Sequence, residues 1–158
     1  MVSDRKAGEV LKITDAEAVS FITDLKRPVG LAFDLQDRLL VVEEKTGRLL
    51  RLETNGSQTA LAQGMKRPRW VTVAEDGTVY ISAKGLKSVK DKDEDDEDEE
   101  HGEVILRFSQ GQLSVFVDGF KGLQGVVVHE NNLFAAAKSL KAEKEDSGAV
   151  FKIPILPD

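Results

Sequence analysis

The side chains able to recognise a ligand in this 158-residue chain are mostly cations, and they recur at a fixed spacing. "KRP" at 26–28 returns as "KRPRW" at 66–70, which puts Arg27 and Arg67 40 positions apart. A looser third copy, "KGLQG", carries Lys121 and Gln124. "AKGLK" and "AKSLK" place Lys84 and Lys138 directly after apolar runs, where "VVEEK" places Glu43, Glu44 and Lys45. Guanidinium and ammonium groups gathered on one surface recognise carboxylates and phosphates, and an indole beside them offers stacking or cation–π contact. The candidate binding set is therefore Arg27, Arg67, Arg69, Trp70, Lys84, Gln124 and Lys138, with an anionic small molecule or an acidic peptide as ligand. Glu43 and Glu44 are candidate metal ligands, although neighbouring carboxylates alone do not make a divalent-cation site.

Signals for catalysis are sparse. The chain has no cysteine, no Gly-x-Ser-x-Gly motif and no phosphate-binding loop. Its two histidines are His101, which closes an acidic run, and His129, which precedes a polar turn with Asn131 and Asn132. No cofactor can be named from these residues.

The elements that must position the cations come from a repeat of about 40 residues. A glycine opens a short apolar run four times: "GEVLKI" at 8–13, "GRLLRL" at 47–52, "GEVILRF" at 102–108 and "GAVFKI" at 148–153. Each full copy reads as four strands, here A to D. Strand A is apolar with little alternation (29–33, 70–73, 126–128), as suits a strand buried on both faces. Strand B follows a polar turn (39–42, 79–82, 133–137), strand C is the glycine phrase, and strand D is more polar (58–62, 113–117), as expected of an outer edge. Four short strands per 40 residues, the innermost most apolar, predict the blades of a β-propeller. In that geometry the D–A and B–C connections emerge at one end, so the recurring cations converge there. The A–B turn carrying His129, Asn131 and Asn132 falls at the other end.

The unit "KRPVGLAFD…RLLVVEEKTGRLLRL" resembles the blades of NHL-type and gluconolactonase/regucalcin-like propellers and of soluble quinoprotein sugar dehydrogenases, over almost all of residues 8–158. The resemblance implies an all-β propeller segment. It also brings a second function into view, that of a sugar-acting enzyme of lactonase or quinoprotein type. The resemblance implies a mouth histidine as base for the quinoprotein enzymes, and acidic and amide metal ligands for the lactonases. No histidine here stands at a mouth position, and Glu43 or Glu44 would be the acidic ligand. The preferred reading is a binding or scaffold module.

The expected organisation is a tail at residues 1–7 and a propeller segment at 8–158, with an acidic insertion at 85–101. The strands read C–D, then A–B–C–D twice, then A–B–C: about three four-stranded blades, half of a six-bladed propeller. The strands of the last copy, "GVVVHE" and "LFAAAK", lack the polar face of a capping repeat. Self-association is therefore expected, as a head-to-tail homodimer in which Val19 to Leu25 completes the partner's last blade. The alternative is that further blades of a longer chain cover these ends.

The run "DKDEDDEDEE" has nine acids in ten residues and cannot fold alone. It reads as a solvated loop, or as a polyanion competing for the cationic end. Net charge is −6 (22 Lys and Arg against 28 Asp and Glu), which argues against nucleic acid as a partner. Residues 1–10 hold no apolar leader and no apolar run approaches a membrane span, so the chain is expected to be soluble, with no compartment indicated.

Overall fold

The computed structural model describes residues 1–87, 102–140 and 148–156; the acidic run and the "KAEKEDS" segment lie outside them. The chain opens with a three-stranded antiparallel sheet of β1 (Val2–Asp4), β2 (Glu9–Ile13) and β3 (Ala18–Ile22). Next comes a four-stranded sheet, β4 (Pro28–Phe33), β5 (Leu39–Glu43), β6 (Arg48–Leu52) and β7 (Gln58–Ala62), ordered as in sequence. A short strand β8 (Met65–Lys66) leads to the third sheet, whose members are β9 (Val71–Val73), β10 (Val79–Ala83), β12 (Glu103–Ser109) and β13 (Gln112–Lys121). A second short strand, β11 (Gly85–Leu86), interrupts it and pairs back to β8. The last sheet is β14 (Gly125–His129), β15 (Asn132–Ala137) and β17 (Ala149–Pro154); between the last two, β16 (Ser139–Leu140) pairs with the end of β13.

Two expectations change here. Residues 2–4, predicted as tail, form a strand in register with β2: Val2 faces Leu11 and Asp4 faces Glu9. The four sheets thus carry three, four, four and three blade strands, where the sequence reading has two, four, four and three. β3 pairs with β2 within its own sheet, as strands C and D of one copy should, and its other edge is the open edge of that sheet. The acidic insertion is shorter than predicted at its start, since Gly85 and Leu86 are tied to Lys66 and Met65.

The sheets stack face to face, and β4, β9 and β14 lie side by side along one edge of the stack. Period-2 alternation sends successive side chains to opposite neighbours. In β5, Leu39 and Val41 join Val10, Leu25 and Leu50 between the first two sheets. Leu40 and Val42 join Leu49, Val71, Val79 and Ile81 between the second and third. Tyr80, Ile105, Phe120, Leu133 and Ala135 fill the last interface, where the Tyr80 and Phe116 rings meet edge to face at 5.0 Å. The outer strand of each of the first three sheets is irregular where it adds Phe21, Leu61 and Phe116 at corresponding positions, and that of the third is irregular at a second place, between the Glu103 and Ile105 pairs.

At its first two occurrences the recurring glycine has one physical explanation. Gly8 and Gly47 have φ of +74° and +66°, in the left-handed region that costs an L-residue energy. Their carbonyls accept the N–H of Leu25 (2.9 Å) and of Met65 (3.1 Å), where the chain leaves the outer strand for the next sheet. A Cβ on Gly8 would lie 2.6 Å from the Leu25 carbonyl oxygen, and one on Gly47 closer still to that of Met65. The first two glycine phrases are thus the seats on which the first two sheet-to-sheet crossings rest, whereas Gly148 has nothing within 4 Å of its Cβ position.

Candidate functional site

The crossings and the B–C connections meet at one end of the stack, as the repeat predicts. Between the first two sheets, Glu44 N–H donates to the Arg27 carbonyl (2.9 Å) and Lys45 N–H to that of Lys26 (3.3 Å). One sheet on, Lys84 N–H donates to the Lys66 carbonyl (2.8 Å), and at the last crossing Lys138 N–H donates to that of Lys121 (2.9 Å). Each of these three crossings therefore carries a lysine on each of its two facing segments. Backbone pairing holds their Cα atoms at this end, and the side chains of Lys26, Lys45, Lys84, Lys121 and Lys138 reach solvent.

Arg67, Arg69 and Lys84 are brought together. They line one shallow recess, with a cavity volume of about 10 Å³, together with Ser82, Ala83, Glu103 and Leu123. Ser82, buried in an otherwise apolar strand, fixes the recess wall. Its carbonyl accepts the Arg69 N–H (2.9 Å), its hydroxyl accepts the Trp70 N–H (3.0 Å), and its own N–H donates to the Trp70 carbonyl (3.0 Å). The Trp70 side chain is 47% exposed but is not among the residues lining the recess. Arg27, Gln124 and Lys138 stand on the neighbouring crossings of this end, outside the recess, and all three are exposed.

Ion pairing separates seven of the eight arginines into two groups. Arg5, Arg38, Arg48 and Arg51 each pair with a carboxylate: Glu44 at 2.6 Å, Asp34 at 2.8 Å, Glu43 at 2.8 Å and Glu53 at 2.7 Å. Among the described residues, Arg27, Arg67, Arg69, Lys84 and Lys138 pair with none. Cations left without a carboxylate on one surface create a positive potential there.

The carboxylates expected as metal ligands are engaged otherwise. Glu43 is 1% exposed. It accepts the Lys26 N–H (2.7 Å), the Thr46 hydroxyl, and Nε and Nη2 of Arg48 (3.0 and 2.8 Å), so both oxygens are taken. Glu44 is held by Arg5. Among the described residues no cluster of three or more His, Asp or Glu side chains could hold a metal ion. His129 is the last residue of β14 at the other end, beside exposed Glu130, and His101 falls outside the described residues.

Burial works against the charge of Glu43, but the bonds from Thr46, the Lys26 N–H and Arg48 outweigh it and lower its pKa. A lowered carboxylate pKa adds stability that is present above the ordinary glutamate range and is lost as pH falls through the folded value. Glu43→Gln is therefore expected to cost about 2–3 kcal/mol at neutral pH and to flatten the acid limb of the stability curve. Urea melts from pH 7 down to pH 3 check both; an unchanged acid limb in the variant would contradict the assignment.

Three contributors were not anticipated from sequence. Arg5 occupies the repeat position of Glu44, and a signal was present: "VSDRKAG" at 2–8 matches "VVEEKTG" at 41–47 in the pattern Val-x-acid-x-Lys-x-Gly. Glu103 accepts the Leu123 N–H. Leu123 stands where Pro28 and Pro68 stand in the other copies, so this copy has a backbone donor that the others lack and needs an acceptor. The third is Ser82, whose mark was a lone hydroxyl in an apolar run.

No family model matches the chain, and no curated protein sequence does. Solved structures do match. A protein assigned as a gluconolactonase is 17% identical with a TM-score of 0.69, covering 96% of this chain and 58% of that one. The chain has the β-propeller fold. Virginiamycin B lyase from Staphylococcus aureus (16% identity, TM-score 0.64, 96% and 46% covered) and the PQQ-bound aldose sugar dehydrogenase from Streptomyces coelicolor (17%, 0.61, 94% and 49%) agree with it. This propeller segment spans about half the length of the structures it matches. Its sheets are the blades, and the end bearing the crossings is the mouth. Among the described residues no helix is long and apolar enough to cross a membrane.

Proposed function

We propose that this propeller segment is a binding module whose mouth takes anionic groups. The observation that carries the reading is the division among the arginines: Arg5, Arg38, Arg48 and Arg51 are carboxylate-paired, whereas Arg27, Arg67 and Arg69 are not. Arg67, Arg69 and Lys84 outweigh Glu103 in the charge of the recess, exposed Trp70 beside Arg69 offers a stacking face outside it, and Arg27, Gln124 and Lys138 add further donors around it. Changing Arg67, Arg69 and Lys84 together to alanine is expected to lower heparin binding at least tenfold without altering the far-UV spectrum. Binding by the unchanged protein should weaken steeply with salt. Absence of heparin binding at low salt would return these side chains to the role of solvated turn residues.

Partners follow from the two outermost sheets. Val150 is 69% exposed in the last sheet, at the position that is fully buried as Leu49 and Ile105 in the middle sheets. Val2 is 50% exposed in the first sheet, where Val41 and Ile81 are buried. These faces take a blade-like surface, and in the isolated chain a second copy supplies it head to tail.

A second reading, a portion of a sugar-acting propeller enzyme, is favoured by the names of two neighbours, the gluconolactonase and the aldose sugar dehydrogenase. It requires a catalytic group that the described residues do not assemble. A mouth histidine or clustered acids encoded in frame beside residues 1–158 would decide for it.

A further inference from the structure

Arg27 and Arg67 share more than their repeat position. Both have positive φ, +57° and +42°, although neither is glycine, and each is followed by a proline, which narrows its options further. In the third copy the same position is Gly122, at φ +59°. The turn at each crossing therefore needs a left-handed residue, and glycine is the one that adopts it without strain. Two of the three crossings carry an arginine there instead. Strain of this kind persists where something else compensates for it, and neither guanidinium has an ion pair that would. Both side chains are exposed, on neighbouring crossings of the same end.

The recess beside Arg67, with a cavity volume of about 10 Å³, is far smaller than the several hundred Å³ usual for sites that enclose a small molecule. A shallow surface with cations on successive blades suits an extended ligand lying across it. A guanidinium also matches a carboxylate through two parallel hydrogen bonds.

Building on the anion-binding reading of the mouth, we propose that Arg27 and Arg67 are a two-point clamp for an acidic peptide segment, one carboxylate held at each blade crossing. The left-handed backbone fixes where each side chain leaves the surface. It is retained for binding at the expense of stability.

The proposal sets stability against affinity in a single substitution. Arg27→Gly and Arg67→Gly should each raise the melting temperature and each weaken binding of a labelled hexaglutamate peptide at least tenfold at low salt. The double variant should bind no better than the background. Lys12→Ala, an equal change of charge on β2, should lower affinity less than threefold. Free glutamate should bind too weakly to tell the variants apart, since it spans one crossing only. Glycine variants that bind hexaglutamate as tightly as the unchanged protein would overturn the clamp while leaving the mouth anionophilic. No binding of hexaglutamate or heparin by the unchanged protein would remove the underlying reading as well. Weaker binding with an unchanged or lower melting temperature would refute retention of strain for function.

Discussion

Gly47→Ala is expected to be among the most destabilising single substitutions in this protein. The left-handed backbone alone costs an alanine about 1 kcal/mol, and the Cβ would collide with the Met65 carbonyl oxygen. That oxygen cannot move freely. Met65 N–H is bonded to the Gly47 carbonyl, Met65 is fully buried, and its strand is paired with Gly85 and Leu86. The crossing from the second blade to the third would have to shift, and with it the backbone that carries Lys66, Arg67 and Arg69. The expected loss is roughly 3–4 kcal/mol, or a fall in melting temperature of about 6–15 °C for a chain of this size. Gly56→Ala is the comparison. Gly56 also has positive φ, +83°, but nothing lies within 4 Å of its Cβ position. It should lose only the backbone part, about 1 kcal/mol. Equal losses at the two sites in thermal melts would show that the close approach at Gly47 has no energetic weight.

The second large effect concerns the outer faces. In the middle blades the positions matching Val150 and Val2 have no exposure or almost none, because a neighbouring blade covers them. Val127, at 55% exposure, and Ile13, at 51%, extend the two apolar faces. Covering a few hundred Å² of apolar surface on each side at about 25 cal/mol per Å² gives on the order of 10 kcal/mol, ahead of the entropy lost on association. Isolated chains are thus expected to self-associate at tens of micromolar, with one copy's last blade against the first blade of the next. Val150→Asp should abolish that association without unfolding the chain, since Val150 is solvent-exposed in the single copy. Val2→Asp should do the same from the other side, and a mixture of the two variants should still form one contact per pair. Sedimentation velocity distinguishes these cases. A monomer at 100 μM for the unchanged chain would refute the head-to-tail contact.

Much of the architecture was legible because a propeller blade is a local object. Its four strands follow one another in sequence, their order in the sheet is their order in the chain, and the 40-residue spacing of "KRP" exposes the period. The same locality made the mouth legible: a residue just before strand A or just after strand B lies at that end in every copy. Thus Arg67, Arg69 and Lys84 could be placed together from sequence, and they line one recess. The first strand was missed for a related reason. Val2–Asp4 is too short to show a period, and only comparison with Val41–Gly47 reveals it.

What sequence alone determined, then, is which residues repeat, in what order the strands pair, and at which end the cations gather. Tertiary structure alone decided what each charge does there. Glu43 and Glu44 are adjacent and chemically alike, but the first is sealed in by a backbone N–H 17 residues earlier and by Arg48, and the second is held by an arginine from another sheet. The turn residues Arg27 and Arg67 differ from Gly122 in type yet share its left-handed backbone, because the crossing geometry imposes it. A charge is committed or left free by partners that meet only when separate sheets stack, and no spacing along the chain encodes those distances.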